Sequence, residues 1–200
     1  VLNKIVPLEE NLRLDGSVYA EGRGFDFYSQ DTWTNVELLL DTARMGPIDV
    51  SGANARLSLE KGNVNADLSC DNSMLQTQIG LKGYLSEEHV NANVDLLLPF
   101  VDFKAMGLSE RTLEITTNGQ VQVDYGWNDL FRVDAYVRGL DMRIGQEALL
   151  TEDFKLYAES MSDSTSAVLK TGDLSFDFHS PNNFFALIDK FVAVGDEAMS

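Results

Sequence analysis

Val90-Asn91-Ala92-Asn93-Val94-Asp95-Leu96 alternates apolar and polar residues without a slip. Successive side chains of an extended strand point to opposite faces, so this run is a strand with one dry face and one wet face. Leu57-Ser58-Leu59-Glu60 and Val64-Asn65-Ala66-Asp67-Leu68-Ser69-Cys70 read the same way. What the dry faces meet decides what the protein does.

Working outward, alternation recurs along almost the whole chain, with strands expected every ~10–14 residues. The turn signals between them are short, as in Glu60-Lys61-Gly62-Asn63, Asp71-Asn72-Ser73 and Ser162-Asp163-Ser164. Short links between strands imply antiparallel neighbours in a meander. After Val133, Ala135 and Val137 the apolar parity changes to Leu140 and Met142, so one extra residue at Gly139 is expected as a bulge that returns the apolar side to the same face.

Two segments read as helical. Pro99–Leu108 suggests a short connector helix of a turn or two. Ser180-Pro181 begins a better one, with a capping serine and a proline at the first helical position. Phe184, Phe185, Leu187, Ile188, Phe191 and Val192 then form an apolar stripe at helical spacing, ended by Gly195. Of these, Phe184, Phe185, Ile188 and Phe191 are candidates to cover one end of the sheet.

The two halves repeat at a spacing of about 100 residues. Leu40-Asp41…Arg44-Met45-Gly46 matches Leu140-Asp141…Arg143-Ile144-Gly145, Leu57…Glu60 matches Leu156…Glu159, and Gly16-Ser17-Val18-Tyr19-Ala20 matches Gly119-Gln120-Val121-Gln122-Val123. The expected organisation is a first β module over 1–98, a connector over 99–112, a second β module over 113–179 and a C-terminal amphipathic helix over 180–195. The fold class expected is all-β. The sheet would be elongated, curled and antiparallel, of about twelve strands from two similar modules.

The 200 residues are 44% apolar, enough for a substantial buried surface, and carry a net charge of −17. A nucleic-acid partner needs a basic surface, so the charge argues against one. It argues equally against electrostatic docking on anionic headgroups. No apolar run is long enough for a membrane-spanning helix and no signal-peptide pattern opens the chain, which starts abruptly at Val1 and reads as a piece of a longer protein. The single cysteine, Cys70, takes the apolar parity of its strand and reads as a buried thiol.

Catalytic chemistry is sparse. His89 and His179 take the wet parity of their strands. Cysteine and histidine are too few for a metal cluster. Glu9-Glu10 and Glu87-Glu88 lie at turns. Gly22-Arg23-Gly24 lacks the third glycine and the helix of a dinucleotide loop, and no GxSxG elbow occurs. No enzyme and no cofactor are expected. The chemistry present is an aliphatic wall: Val18, Val36, Leu38, Leu57, Leu59, Val64, Leu68, Ile79, Leu81, Val90, Val94, Leu96, Val121, Val123, Val133, Val137, Leu156, Leu174 and Phe176. Strands of this kind can pack as a sandwich, close as a barrel or line an open groove, and periodicity alone does not separate the three.

A resemblance bears on that choice. Asp102-Phe103-Lys104-Ala105-Met106-Gly107-Leu108-Ser109-Glu110-Arg111-Thr112-Leu113, followed by Gly119-Gln120-Val121, resembles the inter-module linker of TamB-like proteins of Bacteroides-type bacteria. Asp141-Met142-Arg143-Ile144-Gly145, Leu149–Ala158, and Thr171-Gly172-Asp173-Leu174 before the Pro181 helix are similar to that family too, so the likeness is best over residues 90–192. The resemblance to the TamB-like and AsmA-like family implies an inner-membrane-anchored protein crossing the periplasm, with repeated strands curled into a taco-shaped groove that is apolar inside. It implies phospholipid or other lipid acyl chains as cargo, neighbouring modules of the full-length chain as partners, and a link to a BamA-type outer-membrane barrel. The family carries no catalytic residues, so the aliphatic wall above is the only site it suggests. Two alternatives stand beside it: a scaffold that binds outer-membrane proteins by strand addition, and a closed β-sandwich of structural role.

Overall fold

The computed structural model describes residues 12–126, 130–184 and 186. It is one open antiparallel sheet of thirteen strands. In chain order these are β1 (Leu12–Arg23), β2 (Trp33–Met45), β3 (Ile48–Asp49), β4 (Ala53–Glu60), β5 (Asn63–Asp71), β6 (Leu75–Leu85) and β7 (His89–Asp102). They continue with β8 (Leu113–Gly126), β9 (Leu130–Ile144), β10 (Glu147–Leu150), β11 (Phe154–Ser160), β12 (Thr165–Thr171) and β13 (Leu174–Ser180). Eleven strands lie side by side in the order β1-β2-β4-β5-β6-β7-β8-β9-β11-β12-β13, while β3 and β10 are short hairpin returns on β2 and β9. The sheet does not close on itself, so neither a barrel nor a two-sheet sandwich forms among the described residues.

Turn chemistry explains the meander. At the β4–β5 junction Glu60 pairs with Asn63, and the two loop residues have positive φ, Lys61 at 51° and Gly62 at 79°. That is the conformation whose twist matches a tight two-residue hairpin. At the β5–β6 turn the Asn72 side-chain oxygen accepts from the backbone N–H of Met74 and Leu75, both at 2.9 Å.

Three bulges keep the dry face continuous. The register slips at β2, where Asp15 pairs with Thr42 but Gly16 with Leu40; at β7, between Leu98 and Val101; and at β9, where Thr116 pairs with Asp141 but Asn118 with Arg138. The β9 bulge holds Gly139 at φ 52°, at the position the parity change indicated. Val137 and Met142, on either side of it, both stand opposite dry-face residues of β8.

The repeat is built into the hydrogen bonding. β2 and β9 each end at a positive-φ glycine, Gly46 and Gly145, fold back a short return strand, then pair with the next long strand beyond a bulge. The carbonyl of Leu40 accepts from the N–H of Gly52 at 2.7 Å, and the carbonyl of its repeat partner Leu140 from the N–H of Thr151 at 3.3 Å.

Two expectations need correction. The connector is not a helix: β7 runs on to Asp102, and the segment after it is a set of turns, with the Asp102 carboxylate accepting from Ala105 N–H at 2.9 Å and Gly107 at φ 71° against Pro47. Residues 99–102 therefore belong to the sheet. They join the two modules rather than separating them, since β7 and β8 pair over twelve residues. The glycine and the aspartate turn cap favour a reversal over helical propagation. Of the C-terminal helix, only its start at Phe184 and Ala186 is described; Phe185, Ile188 and Phe191 lie outside the described residues, as do Glu9 and Glu10.

Candidate functional site

The registers place every residue of the expected aliphatic wall on one face. One row runs Val18-Leu38-Ala55-Leu68-Ile79-Leu96-Gly119-Val137-Phe154-Thr171-Leu174. The next runs Ala20-Val36-Leu57-Ala66-Leu81-Val94-Val121-Ala135-Leu156-Leu169-Phe176, and a third contains Leu59, Val64, Val123 and Val133. Val90 joins Leu85, Tyr125 and Phe131 in a fourth. In-phase registers produce this: an odd slip at any junction would have thrown half the wall to the wet side.

The wall is only partly sheltered. Among the described residues no large side chain is fully buried. Leu59 is 4% exposed, but Leu68 is 42%, Val18 69% and Phe176 61% exposed, with most of the remainder half-buried by lateral neighbours. Shelter gathers at the two ends of the strands. At one end Ala43, Cys70, Val101 and Met106 are buried where β3, the β5–β6 turn and the connector fold together. At the other, the Phe184 ring stacks on Phe131 at 5.0 Å and the Phe184 N–H donates to Ser160 Oγ at 2.8 Å. Between the ends the middle rows have no second layer over them among the described residues.

Threonines on this face turn their hydroxyls inward. Thr117 Oγ1 donates to the Arg138 carbonyl at 3.2 Å, and Thr165 Oγ1 to the Asn182 carbonyl at 2.8 Å. A hydroxyl so engaged is already satisfied within the sheet. Cys70 is buried, and burial pushes its thiol pKa up.

The opposite face is polar and holds a hollow of about 590 Å³, lined by Gly80, Arg56, Asp67, Asp95, Gln120, Tyr136 and Arg138 among others. Its groups are engaged with one another: Gln120 Nε2 donates to Asp95 Oδ1 at 2.8 Å, and the Arg138 guanidinium sits 4.9 Å above the Tyr136 ring. Further along, the Tyr136 hydroxyl donates to Asp153, and Arg132 pairs with Glu159 at 2.6 Å. Hydrogen bonds from Arg132 and then Tyr157 hold the Glu159 carboxyl below the ordinary value. His89 and His179 are on this side and exposed, with His89 Nε2 3.5 Å from Asp124. No group of three or more His, Cys, Asp or Glu able to hold a metal occurs among the described residues. No helix of the described residues is long and apolar enough to cross a membrane.

The alternation also gives the alanines, Tyr125, Leu169 and Phe178 the apolar parity of the wall; Phe131 it left out. Only the cross-strand register shows that these residues complete the rows. No family model, curated protein or solved structure matches this chain.

Proposed function

We propose that the open apolar face shields lipid acyl chains, and that the chain is a periplasmic segment of a TamB-like or AsmA-like envelope protein that passes phospholipid between the inner and outer membranes. The observation that carries this reading is the single-layer sheet: an unbroken aliphatic face eleven strands wide whose middle rows remain uncovered among the described residues. An acyl chain gains roughly 0.8 kcal/mol for each methylene removed from water. A wall of Val, Leu, Ile and Ala without polar anchors offers that gain at many equivalent positions, so a chain can slide along it. The charged residues collect on the opposite face and keep so apolar a surface in solution. Neighbouring modules of a longer chain and a BamA-type barrel are the protein partners this reading carries with it, and nucleic acid is not among them.

The test is native mass spectrometry of gently purified protein, followed by organic extraction and lipid analysis. Bound phospholipid near one equivalent, lost in Leu68→Asp with the fold retained, is expected. A clean apo mass with no uptake of offered phospholipid would overturn the proposal.

A further inference from the structure

Among the described residues the two repeats differ by one strand. Across the sheet the first repeat contributes β1, β2, β4, β5, β6 and β7, and the second β8, β9, β11, β12 and β13. β6 is paired on its far side by β7, over a ladder that runs from Leu75↔Val101 to Leu85↔Val90. Its counterpart β13 is paired on one side only among the described residues, by β12. Beyond β13 the chain turns at Ser180-Pro181 and is tied down at Asn182 and Phe184 as the start of a helix. Every second residue of β13 thus points its N–H and C=O outward with no strand opposite among the described residues.

The two edges of the sheet, unpaired among the described residues, are not equivalent. β1 carries four charged residues in twelve, Arg13, Asp15, Glu21 and Arg23, and such charges discourage edge-to-edge pairing. β13, Leu-Ser-Phe-Asp-Phe-His-Ser, has no lysine, no proline and no bulge, and one aspartate. Direction matters as well. Every step across the eleven strands is antiparallel, so β1 and β13 run the same way. Another copy set head to tail would bring β13 against β1 in parallel, the weaker pairing, whereas one intervening strand makes both junctions antiparallel.

We infer that the outer edge of β13 is a docking site for one extended polypeptide strand of the β7 kind. It runs antiparallel to β13, sets aliphatic residues beside Leu174, Phe176 and Phe178 on the dry face and polar residues beside Ser175 and Asp177 on the wet face, and completes the sixth strand of the second repeat. Backbone hydrogen bonds hold it and the alternate side chains select it. This inference rests on strand count, direction and edge composition, and is independent of what the apolar face carries.

The probe is a fluorescent peptide with the sequence of residues 89–98, titrated onto the full chain by anisotropy, with hydrogen exchange read at each backbone amide. Saturable binding is expected, with exchange slowed over residues 174–180. N-methylation of one alternate set of peptide amides should weaken binding by about tenfold or more, while methylation of the other set leaves it unchanged, because only one set faces β13. A peptide merely adsorbed on the apolar face would tolerate both sets alike. Absence of binding, protection that falls away from residues 174–180, or equal response to the two methylated peptides would overturn the proposal.

Discussion

At the scale of single residues, position on the dry face does not fix the energetic role. Leu59 and Leu68 belong to neighbouring strands and the same face, yet one is buried and the other stands in the open. Leu59→Ala should cost about 2–4 kcal/mol in urea denaturation, the usual range for a buried leucine, and Leu68→Ala about 1 kcal/mol or less. Equal losses would mean that the middle rows are covered. Gly139 makes a different point. A Cβ there would meet nothing within 4 Å, but its φ is 52°. Gly139→Ala should therefore destabilise by about 1 kcal/mol through backbone strain alone. Glu159 gives a pH dependence. Its folded pKa lies below the reference value of 4.5, so its contribution is complete above that value and is lost as the pH falls through the folded one. Glu159→Gln should remove that part of the acid sensitivity, giving a shallower fall in stability below pH 4.5 than the unaltered chain shows.

At the scale of elements, turns and bulges do the work that a second layer does elsewhere. The β4–β5 hairpin places Lys61, a poor residue for positive φ, where asparagine is at ease. Lys61→Asn should raise stability by about 0.5 kcal/mol, measurable as a rise in denaturation midpoint without change in slope. The bulges at β2, β7 and β9 each reset parity near the same end of the sheet, and the wall stays on one side because of them. Alternation, tight turns, the Gly139 bulge and the repeat were all legible in the sequence, because each is a local property of backbone and side-chain period. The connector was not. Its residues suit a turn of helix, and the reversal is decided by Asp102 capping Ala105 and by the fit of Gly107 against Pro47, a residue from the far side of the first repeat. The returns β3 and β10 were missed because strands this short have no periodicity to read.

At the scale of the whole molecule, the two repeats are one structure. β7 and β8 pair over twelve residues across the module boundary, a seam only one pair shorter than the thirteen-pair β8–β9 ladder within the second module. Nearest-neighbour coupling of that extent predicts a single urea transition when β2 and β11 are followed by separate probes. Two separated transitions would make the modules independent. What the sequence by itself determined is the chemistry of each strand: which side is dry, where it turns, that the acidic groups face away from the aliphatic ones, and that the plan is written twice. Those follow from period and composition, which act within a few residues. Only the tertiary structure decided that the dry sides share one face and that, among the described residues, no second sheet closes over them. Among the described residues it also left one repeat a strand short. These depend on registers and pairings between residues far apart in the chain, and the same alternating strands would serve a sandwich, a barrel or an open sheet equally well.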